Sequence, residues 1–212
     1  MRFQNLLKVT FLMGLCLSFQ PMKAQNATED LTRYVDPLIG TKEMGHVFPG
    51  ACVPFGMVQL SPDNDTIPYA ANGKYTGTVY RYCAGYQYND KTIVGFSHTH
   101  FSGTGHSDLG DFLIMPTVGK LQLNPGTADK PESGYRSRFS HATEKAEPGY
   151  YKVMLDDYKI DAEMTTTTHV GFHQYTFPKT DDAHIILDLN HALYNYDGKV
   201  LWSYVRVEND TL

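Results

Sequence analysis

Apolar residues fall at every second position through the last third of the chain, and this alternation predicts strands rather than helices. Tyr151, Val153 and Leu155 form one row, and Ile160, Ala162 and Met164 form the next, after the turn-prone pair Asp156 and Asp157. Residues 170–177 and 183–189 continue the pattern, the latter with Ile185, Leu187 and Leu189 on one face. Residues 201–207 also read as a strand, and residues 57–60, 92–96 and 112–118 read as strands nearer the N-terminus. Between 34 and 65 the breakers Pro37, Gly40, Gly45, Pro49, Gly50, Pro54, Gly56 and Pro62 leave no room for a helix. Residues 66–90 are rich in tyrosine and glycine, and the polar stretch 122–149 reads as a long loop. Short strands separated by turn signals predict a mainly β protein, an antiparallel β-sandwich spanning residues 34–212.

The first residues follow another rule. Arg2 and Lys8 precede an apolar run, residues 9–19, that is too short to cross a bilayer, and Ala24 is an acceptable cleavage position. Residues 1–24 therefore read as a signal peptide and 25–33 as a polar leader, so export to the periplasm or medium is expected. Cys16 follows Leu15 where a lipid-anchor signal needs a small residue, which disfavours lipidation. The mature chain keeps Cys52 and Cys83, either a disulfide or two thiols. A net charge of −5 with no basic block argues against nucleic acid as a partner. With 15 tyrosines the chain has aromatic faces suited either to sugar stacking or to plain strand packing.

Candidate chemistry concentrates in residues 95–111, GFSHTHFSGTGHSDLGD. His98 and His100 stand two apart, so on an extended backbone both would face one side, as two metal ligands or two donors to one polar ligand. His106, Asp108 and Asp111 could complete a metal site. Gly103 and Gly105 lack the third glycine of a dinucleotide fingerprint, and no phosphate loop or nucleophile elbow is present. Nine carboxylates, Asp63, Asp65, Asp108, Asp111, Asp156, Asp157, Asp161, Glu163 and Asp188, cannot be paired by spacing alone, and most are expected on solvated turns and sheet faces. Asn26, Asn64 and Asn209 each begin an N-x-T sequon.

Two long segments, VDPLIGTKEMGHVFPGACVPFGMVQLSPD from Val35 and YCAGYQYNDKTIVGFSHTHFSGTGHSDLGDFLIMP from Tyr82, resemble the N-terminal domain of glycoside hydrolase family 92, the bacterial exo-α-mannosidases. The resemblance implies a β-sandwich joined to a larger (α/α)6 barrel. It implies hydrolysis with inversion, with both catalytic acids and a calcium site on the barrel, outside this sequence. It places His46 and Phe48 in one pocket-facing loop and His98, His100, Ser102, Gly103 and Asp108 in another, against a mannose-containing glycan. Two other readings of the residues remain: a freestanding carbohydrate-binding module, and a small metallo-hydrolase built on His98 and His100.

Overall fold

The computed structural model of the protein describes residues 30–209 apart from Tyr69, Thr104, Ser107 and 196–198. The expected signal peptide, residues 1–24, and residues 25–29 of the expected leader lie outside the described residues. Two antiparallel sheets are built from β1 (Ala51–Cys52), β2 (Gln59–Asp63), β3 (Gly95–Ser97), β4 (Leu113–Val118), β5 (Lys145–Glu147), β6 (Tyr150–Leu155), β7 (Ile160–Thr166), β8 (Gly171–Thr176) and β9 (Ala183–Asp188). One sheet has the order β1-β2-β3-β4-β9 and the other β5-β6-β7-β8. Helix is confined to short 3-10 turns among the described residues, the longest at Gly77–Tyr82.

Alternation decides which side chains meet. The register pairs Tyr151 with Met164, Val153 with Ala162 and Leu155 with Ile160, so the predicted rows lie side by side on one face. On β8, His173 continues the Met164 row and Tyr175 the Ala162 row. Leu60, Phe96, Leu113 and Met115 of the other sheet complete the core, all fully or almost fully withdrawn from water. Burial of this apolar surface is the main force closing the sandwich.

The structure departs from the alternation in three places. The 92–96 run splits: Thr92–Ile93 pairs with Ser137–Arg138, and Gly95–Ser97 joins the five-stranded sheet. Residues 201–207 make no strand ladder, because a strand needs a hydrogen-bonded neighbour as well as alternation. The stretch 122–149 is not an open loop. Arg136, buried, donates to Asp65, Thr92 and the carbonyls of Pro125 and Gly126, and so fastens the stretch to the sandwich.

Two further readings are settled by burial. Cys52 is exposed and Cys83 buried, and both are free thiols. Asn64 is fully buried, its Nδ2 donating to the Thr92 carbonyl (2.8 Å) and its Oδ1 accepting from the Gln87 amide, so this sequon is closed to modification in the folded chain.

Candidate functional site

The histidine segment is a loop with a bonded stem and an open tip. Past β3 the His98 amide donates to the Asp111 carbonyl (3.0 Å) and the Gly110 amide to Thr99 (2.9 Å). The Thr99 hydroxyl donates to the Asp111 carboxylate and accepts from the Asp111 amide, each at 3.0 Å. Beyond this stem Phe101, Ser102, Gly103, His106 and Asp108 are exposed. The Gly103 amide donates to the His46 carbonyl at 2.7 Å, which clasps this loop to the one at 42–50. Gly103 has φ +73°, a region open to glycine and costly for side chains.

His46 also has a left-handed backbone, φ +51°. A non-glycine residue held there costs of order 1 kcal/mol, and such residues cluster at binding sites. Its ring stands edge-on to Tyr80, with centroids 4.6 Å apart. It is buried, yet among the described residues Nε2 has no hydrogen-bond partner. Phe48, half-buried, lies against the His100 ring at 5.4 Å.

His98 and His100 do not share a face. The chain bends at His98, so the extended geometry that would align them is lost. His100 turns inward: Nδ1 donates to the Gln59 carbonyl (2.7 Å) and Nε2 to Asp63 Oδ1 (2.8 Å), with Ser97 Oγ at 3.1 Å. Both partners accept only, so the arrangement is that of a doubly protonated ring, and no nitrogen is left for a ligand. The His100 assignment as a ligand-facing residue is therefore corrected: it is a buried structural group. Asp63, expected among the solvated carboxylates, is likewise wholly buried, and its Oδ2 accepts from His191 Nε2 at 2.9 Å. Burial pushes the Asp63 carboxyl up, but the His100 and His191 rings prevail and hold it well below the usual range.

His98 bridges the two sheets. Nδ1 lies 2.7 Å from the Phe112 carbonyl, and Nε2 lies 3.1 Å from His173 Nε2; His173 Nδ1 in turn lies 2.7 Å from Tyr175 Oη. A carbonyl can only accept, so the direction of the whole run is set: Tyr175 O–H to His173 Nδ1, His173 Nε2–H to His98 Nε2, His98 Nδ1–H to Phe112. Burial lowers both histidines, His173 to about 4 with His98 as the second cause. A free histidine titrates near 6.5. Between these values the unfolded chain binds a proton that the folded chain refuses, so this stability is complete above pH 6.5 and is lost as pH falls toward 4. His173→Gln is expected to remove about 2 kcal/mol of the stability change across that window, read from urea unfolding at pH 7 and pH 4.5.

His173, His191 and Tyr80 are absent from the sequence-derived site. His173 and Tyr175 could have been found, since period two puts them on one face of a strand that was foreseen; nothing in the sequence joins His191 to Asp63. Two of the tyrosines, Tyr86 and Tyr88, serve packing rather than an open sugar face. Tyr86 is buried with its hydroxyl on Glu144, and Tyr88 stacks on the His141 ring at 3.9 Å. No group of three or more His, Cys, Asp or Glu converges as a metal site among the described residues. A groove of about 690 Å³ is lined by Phe112, Leu187 and Leu189 on one side and by residues of the 204–209 segment on the other, but its charged members Arg206 and Glu208 pair with each other. Among the described residues no helix is long and apolar enough to cross a membrane.

Residues 34–212 match the glycosyl hydrolase family 92 N-terminal domain. Among solved structures, the family GH92 α-mannosidase BT3965 of Bacteroides thetaiotaomicron, in complex with mannoimidazole, is 48% identical with a TM-score of 0.72, over 78% of this chain and 20% of that one. The family GH92 inverting mannosidase BT2199 of the same organism is 25% identical with a TM-score of 0.57, over 77% of this chain and 20% of that one. A secreted glycosidase of Arthroderma benhamiae, itself uncharacterized, is 33% identical over 153 residues, 70% of this chain and 18% of that protein. The chain thus spans about a fifth of the length of these relatives.

Proposed function

Since the chain belongs to glycosyl hydrolase family 92, as its N-terminal domain, we propose that it supplies one wall of the substrate pocket of an exported, inverting exo-α-mannosidase acting on mannose-capped glycans. The exposed tip of the histidine loop, clasped to His46, carries the reading: Ser102 and Asp108 are open to solvent, and His46 Nε2 is a buried nitrogen without a partner among the described residues. Ser102 and Asp108 bond sugar hydroxyls, while Gly103 lets the backbone approach closely. Phe48 and His98 support the two loops from beneath.

The paired carboxylic acids, one activating water and the other protonating the leaving oxygen, lie outside this sequence on the (α/α)6 barrel. Calcium held on that barrel would help distort the terminal mannose. Export rests on the N-terminal pattern and on the secreted relative. The test is release of mannose from a terminal α-mannoside. The full protein is expected to turn over, and residues 1–212 alone to release none; turnover by the short chain would place an acid within it and overturn the division of labour.

A further inference from the structure

His98 and His173 meet outside the loop tip proposed to bind sugar. We propose that these two residues form a binding site for a divalent transition-metal ion of the zinc or copper type, at the edge where the two sheets join. Their Nε2 atoms are 3.1 Å apart, in rings inclined at 45° with centroids 5.0 Å apart. Two nitrogens bound to one tetrahedral ion at 2.0–2.1 Å stand about 3.3 Å apart, so the atoms are already spaced as ligands.

Each ring is also held from behind, as ligating histidines are. The Phe112 carbonyl takes the His98 Nδ1 proton, and Tyr175 Oη lies on His173 Nδ1, both at 2.7 Å. Gly171 makes the close approach possible, because a Cβ there would stand 2.9 Å from His98 Cδ2. Imidazole suits zinc, copper and nickel, whereas calcium asks for oxygens.

The protons balance without loss. In the metal-free run His173 carries its proton on Nε2. On binding, that proton moves to Nδ1 and the Tyr175 hydroxyl turns from donor to acceptor. His98 keeps its Nδ1 proton throughout. Both Nε2 lone pairs then reach the ion, two waters leave its hydration shell, and water keeps the remaining positions. With two protein ligands the ion exchanges readily.

The test is titration of the untagged full protein with Zn²⁺, and separately with Cu²⁺ read by electron paramagnetic resonance. Wild type is expected to bind one equivalent more than His173→Gln or His98→Gln, and Tyr175→Phe to bind it about tenfold more weakly. The wild-type copper spectrum should carry coupling to two imidazole nitrogens, a readout that stands even where a variant fails to fold. Equal stoichiometry and affinity in wild type and the folded histidine variants, or a copper spectrum without imidazole coupling, would overturn the site.

Discussion

Asp63→Ala is expected to cost about 3–5 kcal/mol of folding stability, the range for removing one partner of a buried ion pair. Asp63 has no exposure, and its two oxygens take one histidine each, His100 at 2.8 Å and His191 at 2.9 Å. The hub is closed tightly, since a Cβ on Gly85 would stand 2.1 Å from Asp63 Oδ1. Alanine leaves the buried His191 Nε2–H without an acceptor and His100 Nε2–H with only the longer contact to Ser97 Oγ, at 3.1 Å. Asp63→Asn keeps the shape but turns a donor toward a donor, so it should recover little. Urea unfolding measures both, with Ser102→Ala on the exposed tip staying within about 0.5 kcal/mol of wild type.

Glu144→Ala is expected to cost about 3 kcal/mol for a related reason. This carboxylate is fully buried and accepts from Tyr86 at 2.8 and 3.0 Å, from Tyr151 at 2.6 Å and from His141 Nδ1 at 2.5 Å. His141 Nε2 donates in turn to the Tyr88 carbonyl at 2.7 Å, so its ring is held between two acceptors. Burial, followed by the neighbouring Glu144, drives the Tyr86 and Tyr151 hydroxyls far above their ordinary range, which keeps both as donors. Glu144→Gln retains one acceptor oxygen and should recover roughly half of the loss. Thermal and urea midpoints of the two variants check the order.

These two hubs mark where sequence reasoning stops. The paired rows from Tyr151 to Leu155 and from Ile160 to Met164 were legible because period two is a local property, and the sheet used it. The loop at 98–111 was legible because its glycines and histidines suit no core strand, although Gly95–Ser97 just before it do form one. The partners of Asp63, Glu144 and His98 were not, because contacts over 37, 58 and 75 residues leave no local trace. His100 shows the same limit: the two-residue spacing was read correctly, but the bend at His98 turned its ring into the interior. Residues 201–207 show the converse, a strand-like apolar run with no ladder to hold it.

The claim on which the account rests is that the loop tip binds substrate while the acids lie elsewhere. Mannose-release kinetics of the full protein with Ser102→Ala and Asp108→Asn test it most directly. Loss of a hydrogen bond to the charged Asp108 should lower kcat/KM tenfold or more, on the order of 1.5–3 kcal/mol, with unfolding midpoints unchanged. Wild-type kinetics in both variants would contradict the placement of the sugar against this loop.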